Sequence, residues 1–152
     1  MTDNDRKFML LAIEQAQLAG SIGEVPIGAI ITDKHNNLIS SGYNLRESNF
    51  DPTGHAEIIA IKKASEKLKS WRLDETTLYV TIEPCPMCMG ALVLARISHL
   101  VFGARDPKAG SAFSLYNIGT DNKLNHNVEV KEGVCEIECS NLLKVFFKTL
   151  RE

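Results

Sequence analysis

Apolar positions along the chain recur with two periods, and the switches between them mark out its elements. Phe8, Leu11, Ala12 and Ala16 repeat at helical spacing, so Phe8 to Ala19 is expected to be an amphipathic helix, with its N-cap near Thr2 or Asp3 and its end at Gly20. Ile27 to Thr32 is a continuous apolar and β-branched run, the pattern of a buried strand. Asp33 to Asn37 is a polar turn, and Leu38 to Gly42 returns as the second strand of a hairpin. Asp51-Pro52-Thr53-Gly54 signals another turn, after which Ile58, Ile59, Ile61 and Ala64 predict a helix over His55 to Leu68. Thr77 to Ile82 reads as a third strand, Met87 to Ala95 as a third helix and His99 to Phe102 as a fourth strand. Gly103 to Asn127 is expected to be irregular apart from a short helix near Phe113 to Ile118, and a loop of that length in a compact domain is usually functional. Val128 to Lys131 is expected as a fifth strand. Cys135 to Leu150 is expected as a closing helix with Leu142, Leu143, Phe146, Phe147 and Leu150 on or near one face.

A hairpin followed by strands that alternate with helices predicts an α/β layered domain with a mixed sheet. No repeat, linker or low-complexity tract interrupts it, and 152 residues suffice for one domain with a proper core, so residues 1–152 are read as a single domain. The 44% hydrophobic and 24% charged fractions are those of a soluble globular protein. No apolar run approaches the roughly 20 residues of a membrane span. Asp3, Asp5, Arg6 and Lys7 precede the first apolar residues, which argues against a signal peptide. Four cysteines without a secretory signal point to a reducing compartment, and the cytoplasm is expected. The net charge of −2 means that binding a nucleic acid would need a local basic patch.

The chemistry concentrates in His55-Ala56-Glu57 and Glu83-Pro84-Cys85-Pro86-Met87-Cys88. A catalytic zinc takes three protein ligands from imidazole and thiolate and leaves a fourth position for water; His55, Cys85 and Cys88 supply that set, and the type of ligand favours zinc over iron. Pro84 and Pro86 suit the entry to a helix, whose positive end favours the thiolates. Glu57, just past the histidine, is placed to take a proton from the hydrolytic water and pass it to a leaving group, whereas a purely structural zinc would want a fourth protein ligand and no such carboxylate. Cys135 and Cys139, one helical turn apart beside Val134, Ile137 and Leu142, are read as buried core thiols. His35 is read as a solvated turn residue and His99 as a strand start.

His-x-Glu followed by Pro-Cys-x-x-Cys is the signature of zinc nucleobase deaminases. The chain further resembles the bacterial tRNA-specific adenosine deaminases of the cytidine deaminase-like superfamily in Val25-Pro26-Ile27-Gly28-Ala29, Asp51-Pro52-Thr53, Thr77-Leu78-Tyr79-Val80, Phe102-Gly103-Ala104-Arg105-Asp106, Asn125-His126 and Phe146-Phe147. The resemblance implies a three-layer α/β/α domain with a central mixed five-stranded sheet, one Zn2+ per subunit and a homodimer. It implies conversion of adenosine to inosine at the first (wobble) anticodon position of a tRNA anticodon stem-loop, with the target base flipped into the metal pocket. It makes Glu57 the catalytic residue and His55, Cys85 and Cys88 the metal ligands. Asn44 matches the residue that hydrogen-bonds the target base; Asp106, Lys108 and Asn125 match positions that contact flanking nucleotides; Phe147 matches an aromatic residue near the RNA. Neither DNA nor a membrane is expected as a partner. The chain departs from the family pattern at Gly54, where Ala is common, and at Asn127, where Arg is frequent.

The residues themselves agree with RNA as substrate where they can speak. Asn offers a donor and an acceptor, as reading a base edge requires, and single-stranded RNA is read by stacking and edge hydrogen bonds. Arg105, Lys108 and Lys123 in the irregular loop and Lys144, Lys148 and Arg151 in the closing helix could form a local basic patch; the last three also suit a helix C-terminus, which favours cations. His126 either bonds RNA or packs. Two other readings share parts of the pattern. A free-base deaminase of the same fold, acting on guanine or cytosine, would need His55, Glu57, Cys85 and Cys88 but not Lys108 or Asn125. A non-catalytic zinc subunit that only docks RNA would not need Glu57.

Overall fold

The computed structural model describes residues 2–151. The chain runs through α1 (Asp3–Ser21), β1 (Gly28–Thr32), β2 (Leu38–Tyr43), α2 (Ala56–Leu68), β3 (Thr77–Ile82), α3 (Pro86–Ala95), β4 (His99–Ala104), β5 (Glu129–Lys131) and α4 (Glu136–Arg151). The strands form one sheet in the order β2-β1-β3-β4-β5. β1 pairs antiparallel with β2 and β3, while β3–β4 and β4–β5 are parallel. The sheet is therefore mixed and five-stranded, as expected.

Alternate side chains of the central strands feed two cores. Ala29, Ile31, Leu78, Val80, Leu100 and Phe102 pack with Ala56, Ala60 and Ala64 of α2 and Met89, Leu92 and Val93 of α3. Ile30, Tyr79 and Val101 face the other way, against Phe8, Met9, Ala12 and Ile13 of α1 and Cys139 of α4. Two helices on each face make three layers. Because both faces are covered, the central strands read as unbroken apolar runs rather than alternating ones.

Small residues let the helices sit close. A Cβ on Gly28 would lie 2.1 Å from the Ala12 carbonyl oxygen and 2.4 Å from the Ala16 nitrogen. A Cβ on Gly42 would lie 2.7 Å from the Ala56 oxygen and 2.9 Å from the Ala60 nitrogen. The second contact presses the first turn of α2, where His55 and Glu57 sit, onto the sheet.

Several boundaries differ from the sequence expectation. α1 starts at Asp3, not Phe8, because Thr2 and Asp5 form a reciprocal capping box. Thr2 is thus the N-cap. β4 continues past Phe102 to Ala104. The helix expected near Phe113 to Ile118 is absent; that stretch forms turns, in which the Leu115 and Ile118 N–H groups bond the Gly110 and Ser111 carbonyls rather than carbonyls four residues back. Cys135 precedes α4 in a left-handed conformation (φ 55°), yet both it and Cys139 are buried free thiols as expected. α4 buries less than its pattern suggests: Leu142, Leu143 and Phe146 are half-buried, while Ile137 and Leu150 are largely exposed.

Candidate metal centre

Two helix N-termini converge beside the ends of β1 and β3. His55 is the N-cap of α2, and Cys85 is the N-cap of α3 with Pro86 in its first turn. Proline at that position loses no hydrogen bond, since the first N–H groups of a helix have no intrahelical acceptor. One further turn brings Cys88 round to the same side. His55 Nδ1 lies 3.6 Å from the Cys85 Sγ and 3.6 Å from the Cys88 Sγ. All three ligand atoms lie within 4.8 Å of one another.

This arrangement fits zinc. Tetrahedral bonds to imidazole nitrogen and thiolate sulfur put those two atoms about 3.6 Å apart. The donor set also leaves one tetrahedral position for a non-protein ligand. Without an ion, Cys85 alone of the three donors is shifted toward its ligand form, and the other two hold protons that binding would release. Hydrogen bonding from Cys88, with His55 as second partner, outweighs burial and brings the Cys85 thiol down to about 4. Donating to that thiolate raises Cys88, and pairing with it raises His55.

Glu57 lies in the first turn of α2, 3% exposed and beside Cys88. Burial pushes its carboxyl up to about 7. A general acid–base works best with a pKa near the operating pH. The adjoining cleft, about 150 Å³, is lined by Val25, Ile27, Asn44, Arg46, His55, Ala56 and Glu57. Asn44 is held from two sides: its Nδ2 donates to the Val25 carbonyl at 3.3 Å and its Oδ1 accepts the Arg46 N–H at 3.2 Å. The side chain is thereby both a turn former and a fixed polar group in the cleft wall.

The remaining candidates are spread more widely. Asp106 and Lys108 share a tight turn in which the Asp106 Oδ1 accepts the Lys108 N–H at 2.9 Å, and Lys108 is exposed. Phe147 lies with Lys144, Arg105 and Arg151 around a surface hollow of about 280 Å³, its ring edge-on to Phe146. Arg105 spends its charge on Glu132, with both nitrogens 2.9 Å from the carboxylate oxygens, so it contributes little to a basic patch. Asn125 is exposed and is not brought to this cleft. Its neighbour His126 bonds the Ile97 carbonyl at 2.7 Å, just past the C-terminal end of α3, whereas the cysteines sit at the N-terminal end. His126 thus packs, and Asn127 pairs with Asn122. His35 is exposed in its turn, and His99 starts β4 facing Glu129 at 3.3 Å.

Two carboxylates, Glu24 and the Glu83 that opens the second metal-bearing stretch, have packing roles the sequence did not reveal. Glu24, 1% exposed, accepts the N–H groups of Glu47 (3.1 Å) and Ser48 (2.6 Å) and so shapes the loop after Asn44. Glu83, equally buried, gathers the loop after β4. Their only sequence signal is an acidic residue set directly against apolar strand residues.

The MafB19-like deaminase family model matches residues 3–151. The tRNA-specific adenosine deaminase of Haemophilus influenzae is 46% identical over 97% of this chain and 86% of its own length. That of Bacillus subtilis is 45% identical over 97% of this chain and 91% of its own. A solved structure from work on A-to-I editing by tRNA:A34 deaminases at the wobble position superposes with a TM-score of 0.86 at 39% identity, covering 90% of this chain and 99% of the other. A guanine deaminase from Nitrosomonas europaea, 21% identical with a TM-score of 0.80, shares the fold over 93% of this chain and 83% of its own.

Proposed function

Because the chain belongs to the family of tRNA-specific adenosine deaminases, we propose that it hydrolyses adenosine to inosine and ammonia at the first anticodon position of a tRNA. The observation that carries this reading is the buried Glu57 beside the His55–Cys85–Cys88 cluster, in a cleft whose wall holds Asn44. His55, Cys85 and Cys88 would hold one zinc ion per subunit, which when bound supplies Lewis acidity and a hydrolytic nucleophile at neutral pH.

The chain's own groups do the rest. Glu57, with its carboxyl near neutrality, accepts a proton as water adds to the ring carbon that bears the amino group, and delivers it to the neighbouring ring nitrogen. It carries a second proton to the amine as the carbon–nitrogen bond breaks and the carbonyl forms. Val25 and Ile27 offer apolar contact to the base, and Asn44 reads its edge with the N–H and lone pair left after its two backbone bonds. Asp106 and Lys108 meet flanking nucleotides, and Phe147 with Lys144 and Arg151 extends the RNA surface along α4. Asn125, remote from this cleft, would have to reach RNA elsewhere or across a subunit interface.

A homodimer is supported by the outer face of α2 and α3. Leu94 is 71% exposed and Trp71 is 61% exposed around a hollow that Ile58, Ile61 and Ala91 also line. Contiguous exposed apolar surface of this kind marks an interaction site, and a second copy is the commonest partner. Among the described residues no helix is long and apolar enough to cross a membrane. A cytoplasmic location follows from the proposed substrate.

Ammonia release from an anticodon stem-loop with adenosine at its first anticodon position tests the reading, with free adenine, guanine, cytosine and their nucleosides alongside. Release from the stem-loop is expected. Release from a free base alone would keep the chemistry of Glu57 and discard RNA as the substrate.

A further inference from the structure

Glu83 takes no part in the proposed chemistry, yet it is among the most buried charged groups of the protein at 1% exposure. A buried carboxylate is costly unless donors surround it. Here every donor comes from one loop. Oε2 accepts the N–H groups of Ala112 (3.2 Å), Phe113 (2.8 Å) and Ser114 (2.9 Å). Oε1 accepts the Asp106 N–H (3.1 Å) and the Ser114 hydroxyl (2.5 Å). Gly110 presses so close that a Cβ there would fall 2.3 Å from Oε1. Next in the chain, the Pro84 carbonyl accepts the Ser111 N–H at 2.8 Å, and Cys85 follows directly.

The segment from Asp106 to Ser114 holds no regular helix or strand. Its N–H groups converge on an anion just past the end of β3, the strand that leads to Cys85 and Cys88. The same segment carries Asp106 and Lys108. One side chain therefore links the loop's shape to the position of the metal cluster.

We propose that Glu83 is a positioning residue, whose carboxylate clasps the 106–114 loop at a set distance from the cleft and so governs affinity for the polynucleotide on either side of the target base. The inference rests on the RNA reading above and deepens it: Glu57 performs the chemistry, and Glu83 sets how well the flanking nucleotides are held.

Glu83→Gln keeps the side chain's shape but removes the charge and turns an amide N–H₂ toward the loop's donors. In the full-length, zinc-loaded protein, zinc content is expected to stay at the wild-type level. The amides of Asp106, Ala112, Phe113 and Ser114 should exchange hydrogen about ten-fold faster or more, as expected when hydrogen bonds to a charged acceptor are lost, while those of β3 and α3 hold their rates. KM for the stem-loop should rise by about ten-fold with kcat within about three-fold, the mark of lost ground-state binding. Ser114→Ala, which removes one donor and keeps the anion, should shift KM and loop exchange the same way by less; it decides the matter if Glu83→Gln fails to fold. Unchanged loop exchange, loss of zinc, or a fall in kcat with KM unchanged would overturn the proposal. A wild-type protein inactive on the stem-loop would overturn the functional reading and the affinity half of this proposal together, leaving the exchange rates to judge the clasp alone.

Discussion

Glu57 is a carboxyl group almost wholly removed from water, and that burial suits it to the proposed acid–base role. In water it would be ionised at neutral pH and a poor acid; at about 7 it can both take and give a proton. Changing Glu57 to Ala is expected to lower kcat on the stem-loop by at least about a thousand-fold, the upper range for a general acid–base group, with zinc content unchanged. Metal analysis beside single-turnover kinetics checks this, and comparable deamination by the variant would end the scheme. Asn44 acts differently. Its polar atoms are already half engaged by the backbone of Val25 and Arg46. Asn44→Ala is therefore expected to raise KM and also to lower stability by about 1–3 kcal/mol, because the Arg46 N–H and Val25 carbonyl lose their partner. Urea titration separates the second effect from the first.

At the level of elements, the site depends on how closely α2 lies on β2. Gly42 is the contact that permits it, and the alanines at 56, 60 and 64 are its counterpart on the helix. Gly42→Ala is expected to destabilise the fold by about 1–3 kcal/mol through overpacking. It should also weaken zinc retention per folded molecule, because the displaced backbone carries His55. Gly28→Ala makes an even closer clash, 2.1 Å from the Ala12 oxygen, but displaces α1, which bears no ligand. Its expected result is an equal or larger stability loss with zinc per folded molecule retained. Thermal melts with metal analysis of the soluble fraction distinguish the two.

Across the whole molecule, two buried carboxylates tie distant segments together and impose an acid limit on stability. Burial alone would raise the Glu24 carboxyl, but hydrogen bonds from Ser48 and Glu47 outweigh it and hold it below the usual 4.5. Burial likewise opposes ionisation of Asp5, and Lys131, Thr2 and Tyr79 together bring it below the usual 3.8. A folded-state pKa below the unfolded value means that the unfolded chain binds more protons as pH falls. The stabilisation is complete above the unfolded pKa values and is lost as pH drops through the folded ones. The urea midpoint is expected to fall as pH is lowered below about 4.5, and Glu24→Gln should flatten part of that fall at the cost of a lower midpoint at neutral pH. On the opposite surface, Leu94→Glu places a charge in the apolar α2–α3 face. If this face is the proposed dimer interface, the substitution is expected to leave a monomer in sedimentation where the unsubstituted protein is a dimer, with secondary structure unchanged.

The element order and the mixed sheet were legible in the chain because apolar period and cap and turn residues decide them locally, and the cluster of His55, Cys85, Cys88 and Glu57 because two short stretches 30 residues apart carry the residue types of one metal site. Glu83 and Glu24 were not, since their partners lie in loops far along the chain and an acidic residue beside a strand looks the same whether it meets water or a ring of N–H groups. The absence of a helix over Phe113 to Ile118 was not legible either: the Ile118 N–H reaches back to the Ser111 carbonyl and the Leu115 N–H to that of Gly110, pairings set by how the loop folds over Glu83. Asn125 and Asn44 are both polar residues of irregular stretches, yet only Asn44 lines the cleft. Sequence by itself determined which groups could bind metal and move a proton. Tertiary structure alone decided which polar groups reach the cleft and which hold its walls, because burial and long-range hydrogen bonding are properties of the folded chain and of no local segment.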